Sequence, residues 1–264
     1  MSDNRPTALI TGASTGIGAV YADRLARRGH ALVLVARDKD RLGALAARLR
    51  AETGVKIDVL PADLTDAEQL RAVEARLRED ASIGLLVNNA GAAGQGSFEQ
   101  ADPDRFEGLI RLNVTAVTRL TAVAIPGMLA RGGGAIINIA SVVGLVPEMP
   151  LGVYGATKAF VIAMSQALTA ELGQRGIYVQ AVLPAATRTE IWERSGRDVN
   201  QLSGVMNVAD LVDAALVGVD RRETITIPPL PDAEQWNAYD AARRAMIPNF
   251  PNAHPAERYT VAAR

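Results

Sequence analysis

The sequence predicts an α/β fold built on a doubly wound, seven-stranded parallel sheet with helices on both faces. Three observations predict it. Short apolar runs alternate along the chain with longer segments of helical period, which is the signature of strand–helix–strand crossovers. The runs are aliphatic at nearly every position rather than every second one, as in strands covered on both sides. The chain also has 264 residues, 48% hydrophobic and 22% charged, a soluble globular composition of a size that one α/β domain accommodates.

The strands are read at 8–11, 31–35, 56–60, 85–87, 135–139, 178–183 and 224–227, each short and mostly β-branched or aliphatic. Between them lie helices at 17–28, 39–52, 67–79, 103–130, 154–174 and 208–219. Local chemistry supports these ends. Asp102 before Pro103 is a cap followed by proline at the first helical position, and Gly29 and Gly176 stop two helices. No linker or repeat interrupts residues 1–264, so a single domain is expected, with 228–264 as a C-terminal extension. Six of the thirteen prolines fall in that extension. Within it, 232–246 reads as one helix with Trp236, Tyr239 and Met246 roughly on one side, a face for packing on the domain or for a lid or subunit contact.

Composition excludes several chemistries. There is no cysteine, hence no disulfide, thiol nucleophile or thiolate metal site. His30 and His254 are the only histidines, too few for a His-based metal site or a histidine-centred triad, so no metal is expected. A net charge of −1 with Arg interspersed among Asp and Glu argues against a nucleic-acid partner. No apolar run approaches a membrane span of about 18 residues, and the start Met-Ser-Asp-Asn-Arg-Pro lacks a signal-peptide pattern, so the expectation is no membrane partner and a cytoplasmic location. Only three lysines occur, Lys39, Lys56 and Lys158, the first two at exposed-looking ends of a helix and a strand.

The first strand runs into Thr11-Gly12-Ala13-Ser14-Thr15-Gly16-Ile17-Gly18 and then a helix. Glycines there let the backbone turn sharply and approach a pyrophosphate set against the free N–H groups of a helix start. Three glycines in seven residues also suit an ordinary loop, but the position after the first strand favours the dinucleotide reading. The second strand ends in Ala36-Arg37, where an acid would bind a ribose 2′-hydroxyl and a base a 2′-phosphate. Arg37 therefore points to NADP(H) over NAD(H). Asp38 has two readings, as a partner of Arg37 or as the cap of the next helix.

Tyr154 and Lys158 stand one turn apart at the start of a long helix. A phenol ordinarily titrates near 10, and an ammonium beside it favours the phenolate, giving an acid–base group without histidine. The same spacing on a solvent-facing helix would mean nothing, so the context decides. That context, the turn 11–18, Asn88-Asn89-Ala90-Gly91 after the fourth strand, Ser141 after the fifth, and Tyr154 with Lys158, resembles the short-chain dehydrogenase/reductase family over about residues 6–227.

The resemblance implies a Rossmann-type fold and assigns roles residue by residue. Tyr154 is implied as the acid in carbonyl reduction and the base in alcohol oxidation. Lys158 is implied to hold the nicotinamide ribose and lower the Tyr pKa, Ser141 to hydrogen-bond the substrate oxygen, and Asn113 to hold a water in the proton relay; a buried structural role for Asn113 stays open. The implied cofactor contacts are Gly12, Ser14, Thr15, Gly16, Ile17 and Gly18 of the turn, Arg37, Asp63 and Leu64, Asn89, Ala90 and Gly91, Tyr154 and Lys158, and Pro184, Thr187 and Thr189. The family's Pro-Gly reads Pro184-Ala185 here. Its usual Val-Asp-Gly-Gly ending of the last strand reads Ile225-Thr226-Ile227-Pro228-Pro229, and a homodimer or homotetramer is implied.

Substrate-facing positions are Ser141, Ala93, Val143, Met149, Leu151 and Trp192, mostly apolar, which favours an apolar or acyl-chain ketone or aldehyde over a sugar. The leading function is an NADPH-dependent carbonyl reductase acting reversibly on a secondary alcohol. Two alternatives use the same residues: an isomerase, dehydratase or epimerase with tightly held cofactor, and a dinucleotide-binding regulator without turnover.

Overall fold

The alternation of apolar runs and amphipathic segments resolves, in a computed structural model that describes residues 5–93, 98–100, 102–149, 151–194 and 198–259, into one parallel sheet. Its strands are β1 (Thr7–Thr11), β2 (Leu32–Ala36), β3 (Ile57–Pro61), β4 (Ile83–Asn88), β5 (Gly134–Ile139), β6 (Ile177–Val182) and β7 (Ile225–Thr226), in the order β3–β2–β1–β4–β5–β6–β7. The chain winds out from β1 to β3 and returns to lay β4 beside β1. Parallel sheets bind ligands at the carboxyl ends of the strands flanking such a reversal. β7 is shorter than its expected span because Pro228 and Pro229 follow, and proline cannot donate to a ladder.

The helices are α1 (Gly16–Arg27), α2 (Lys39–Thr53), α3 (Ala67–Glu79), α4 (Pro103–Ile110), α5 (Val117–Ala130), α6 (Val153–Leu172), α7 (Ile191–Arg194), α8 (Val208–Asp220) and α9 (Ala233–Arg244). Aspartate or asparagine side chains accept N–H groups at the starts of α2 (Asp38), α3 (Asp66), α4 (Asp102), α8 (Asn207) and α9 (Asp232). The helix expected over 103–130 is continuous but contains a wider π turn at Arg111–Ala116, which joins α4 to α5. By length and composition it is the one helix among the described residues that could cross a membrane. Its Ala116, Leu120, Ala124 and Met128 instead pack in a core on one side of the sheet.

Alternating strand positions feed two cores. Ala8, Ile10, Leu32, Leu34, Val87 and Ile137 meet Tyr21 and Leu25 of α1, Leu42 and Leu49 of α2, and Val212 and Leu216 of α8. Leu9, Val33, Val35, Leu86, Ile136 and Val179 meet Leu70, Val73 and Leu77 of α3, then α5 and Leu172 of α6. Each fully buried Leu, Ile or Val contributes roughly 1.5–3 kcal/mol relative to exposure, so a strand apolar on both faces is stable only where both faces are covered. Between α1 and α2, Asp23 accepts hydrogen bonds from Arg24 (2.8 Å), Arg27 (3.1 Å) and Arg48 (3.4 Å). These guanidiniums outweigh the upward push of burial and hold its carboxyl below the usual range.

By contacts the chain divides into a unit over Met1–Pro229 and a second over Leu230–Arg264. The second contains α9, close to the expected 232–246, in which the Trp236 and Tyr239 rings lie 5.5 Å apart.

Candidate active site

The glycine-rich turn lies at the carboxyl end of β1, at the reversal beside β4. Gly12 and Gly16 have φ of 65° and 58°, values that favour glycine. The turn is fastened to β4: Thr11 Oγ1 accepts the N–H groups of Asn89 and Ala90, both at 3.0 Å. Asn89 Nδ2 in turn donates to the carbonyls of Thr11 (2.8 Å) and Gly12 (3.1 Å). Gly18 does not line the cleft. A Cβ there would sit 2.4 Å from Asn89 Nδ2 and from the Gly12 carbonyl oxygen, so glycine is required for the helix to close against the turn.

The N-terminus of α1 suits an anion. Thr15 makes no side-chain cap and the first turn holds no acid, unlike the Asp- or Asn-capped helices. At the end of β2, Arg37 is largely exposed and only loosely paired with Asp63, at 3.9 Å. Asp38 resolves as the cap of α2, accepting the Arg41 N–H at 2.9 Å. Burial raises Asp63, but hydrogen bonds from Thr65 and the nearby Arg37 charge outweigh it and leave the carboxyl below its ordinary range. An uncapped helix start, a glycine cradle and a basic residue at the adenosine end together fit a dinucleotide bearing a 2′-phosphate.

Across the same cleft lie Ser141, Tyr154 and Lys158. Lys158 is 6% exposed, its Nζ donates to the Ile139 carbonyl at 2.8 Å, and it stands 5.8 Å from the centre of the Tyr154 ring. Burial lowers the ammonium to about 8. Burial also raises the Tyr154 phenol, and a hydrogen bond with Ser141 pulls the other way. Ser141 Oγ donates to the Pro184 carbonyl at 3.1 Å, which joins the end of β5 to the loop after β6.

Asn113 sits on the π turn, 1% exposed and behind the cleft wall. Its Oδ1 accepts the Ala92 N–H and its Nδ2 donates to the Ala92 carbonyl, both at 3.0 Å, and to Thr157 Oγ1 at 3.1 Å. Thr157 Oγ1 donates to the Tyr154 carbonyl at 2.7 Å, so Asn113 braces the first turn of α6. A second buried chain runs from Asn88 Nδ2 to Thr121 (3.0 Å) and Asn138 (2.9 Å), and from Asn138 Nδ2 to Ser165 (2.9 Å). It ties α5, β4, β5 and α6 together beneath the cleft. Reading the sequence missed Thr157, Asn138 and Ser165; Thr157 lay inside the Tyr–Lys spacing, but Asn138 and Ser165 carried no local signal.

The cleft encloses about 1000 Å³. Of the expected residues it is lined by Gly12, Ser14, Thr15, Gly16, Ile17, Arg37, Asp63, Leu64, Asn89, Ala90, Gly91, Ser141, Tyr154, Lys158, Pro184, Thr187 and Thr189. Ala93, Val143, Met149, Leu151 and Trp192 line it too. Ala185 fits in place of the family's glycine because the backbone takes no positive φ there; Arg222 is the one non-glycine residue with positive φ among those described. Thr187 turns its hydroxyl to the Ala185 carbonyl at 3.0 Å.

Comparison with known proteins gives the same picture. A short-chain dehydrogenase from Sphingobium yanoikuyae, solved in complex with NADPH, is 61% identical and superposes with a TM-score of 0.95, covering 97% of this chain and 100% of that one. The bulky-bulky ketone specific alcohol dehydrogenase of Comamonas testosteroni is 56% identical, with a TM-score of 0.90 and coverage of 97% and 99%. The very-long-chain 3-oxoacyl-CoA reductase of Anas platyrhynchos is 37% identical over 189 residues, 70% of this chain but only 60% of that protein's length. The family model described as short chain dehydrogenase matches residues 6–200. With the cleft, the glycine turn and the Ser–Tyr–Lys cluster in one place, the chain belongs to the short-chain dehydrogenase/reductase family of NAD(P)-dependent oxidoreductases.

Proposed function

We propose that this protein is an NADPH-dependent carbonyl reductase for bulky apolar or acyl-chain ketones and aldehydes, running in reverse on secondary alcohols. The observation that carries the reading is one continuous cleft. It joins the uncapped start of α1 and Arg37 to Ser141, Tyr154 and Lys158, and its remaining wall is largely apolar. The names of the Comamonas and Anas relatives, a bulky-ketone alcohol dehydrogenase and a 3-oxoacyl-CoA reductase, support the substrate class.

Gly12, Ser14, Thr15, Gly16 and Ile17 would hold the pyrophosphate, Arg37 the 2′-phosphate, and Lys158 the ribose beside the nicotinamide. When bound, NADPH supplies a hydride to the carbonyl carbon. Ser141 holds the carbonyl oxygen, and Tyr154 gives that oxygen its phenolic proton as negative charge develops on it. A buried phenol whose pKa is raised is protonated at neutral pH, the form that can donate to a developing alkoxide. The ammonium of Lys158 offsets the charge left on the phenolate. Val143, Met149, Leu151 and Trp192 would bury the substrate's apolar groups and shed water around the reacting carbon.

A panel of aryl ketones with two large substituents, 3-oxoacyl thioesters, small ketones and sugars, followed by NADPH absorbance, tests the proposal. The expected result is consumption of NADPH with the first two groups and little with sugars. Tight NADPH binding with no consumption across the panel would favour an isomerase, dehydratase or epimerase instead.

A further inference from the structure

Arg41 and Glu190 lie 149 residues apart in sequence and meet across the mouth of the cleft. Arg41 occupies the first turn of α2, four residues beyond Arg37. Glu190 immediately precedes α7. Arg41 Nη1 donates to both Glu190 oxygens, at 2.9 and 2.8 Å, and its Nε stands 3.3 Å from Asp38 Oδ2, the cap of the same helix. The guanidinium is thereby held at a fixed point of the adenosine side. Glu190 lines the cleft and Arg41 does not, so Arg41 grips the far side of a group that faces the cleft.

The segment that Glu190 belongs to covers the pyrophosphate end. A Cβ on Gly16 would lie 3.2 Å from Thr189 Cγ2, so Thr189 rests on the glycine-rich turn. Trp192 Nε1 donates to the Thr187 carbonyl at 2.7 Å, folding 187–192 on itself. The root of the segment is fixed, since Met206 N donates to the Ala186 carbonyl and Arg188 N to the Met206 carbonyl, both at 2.9 Å. A strip rooted at β6, resting on the turn and clasped to α2 closes over whatever lies in the turn.

We infer that the Arg41–Glu190 pair is a clasp over the cofactor cleft, two positioning residues that set how fast the nicotinamide cofactor leaves. The inference rests on the cofactor reading above. Both side chains are partly exposed, at 50% and 39%, so the pair is screened by solvent and its effect is modest. Because the clasp closes over the pyrophosphate, which NADPH and NADH share, it slows the release of both alike.

The test is stopped-flow release of NADPH and of NADH from wild type, Glu190→Gln, Arg41→Gln and the double variant, with thermal melts of each. Glu190→Gln should speed release of both cofactors by a common factor of roughly two- to five-fold, as for an exposed ion pair. The double variant should release NADH no faster than either single one, because the pair acts as a unit. Melting temperatures should stay close to wild type.

Unchanged release in Glu190→Gln, or additive effects on NADH release in the double variant, would overturn the clasp. Slower release of NADPH alone would also overturn it, by showing that Glu190 instead competes with the 2′-phosphate for Arg41. Failure of the wild type to bind either cofactor would overturn the cofactor reading itself, and that outcome is visible before any variant is made.

Discussion

At the scale of single residues, the proposed chemistry rests on two buried groups moved in opposite directions by the same cause. Desolvation disfavours whichever form is charged, so it raises Tyr154 and lowers Lys158. Tyr154→Phe keeps the ring and the burial but removes the proton donor. It should cut carbonyl reduction by roughly 10²–10⁴-fold, while NADPH fluorescence titration shows binding close to wild type. The Lys158 value of about 8 gives a sign to the pH profile: the ammonium is present below it and lost above it. The kcat/KM for reduction should therefore fall as pH rises through about 8. Lys158→Met should show low activity without that step, and a step persisting unchanged in the variant would assign it to another group.

At the scale of elements, the end of β2 and the start of α2 would divide the work of the adenosine side in the proposed function. Ala36 leaves room, Arg37 projects charge, Asp38 caps the helix and Arg41 reaches across the cleft. Arg37→Asp places a carboxylate where a 2′-phosphate is expected and should turn preference toward NADH. The ratio of kcat/KM for the two cofactors measures it, with a change of tenfold or more expected from exchanging a charge-assisted contact for repulsion. A variant that still clearly prefers NADPH would move the discriminating contact elsewhere. The π turn of Arg111–Ala116 is a second device at this scale, because it brings Asn113 against Ala92 and Thr157 in the middle of a helix.

At the scale of the whole molecule, the ion-pair cluster around Asp23 couples α1 to α2 on one face of the sheet. Its carboxyl titrates lower in the folded chain than in the unfolded one. The resulting stability is present above the ordinary carboxylate range and is lost as pH falls through the folded value. Asp23→Asn should cost about 1–3 kcal/mol at neutral pH, a drop of roughly 2–10 °C in Tm for a chain of this size. It should also shrink the further loss of Tm on acidification. Calorimetry at neutral and acid pH measures both.

By itself the sequence determined the fold class and the positions of the seven strands to within a residue or two, and it nominated the Gly12–Gly18 turn, Ser141, Tyr154 and Lys158 for the site. Each of these is encoded within a few consecutive residues: a run of buried aliphatics, a turn that needs glycine, or a pair one helical turn apart. Only the tertiary structure decided that Gly18 packs on Asn89, that Lys158 bonds the Ile139 carbonyl, that Asn113 braces Thr157, and that Arg41 meets Glu190. Those contacts join segments that become neighbours when the crossovers order the sheet β3–β2–β1–β4–β5–β6–β7. Local spacing carries no information about them, because the closeness of residues far apart in sequence is fixed by strand order and by burial of both sheet faces.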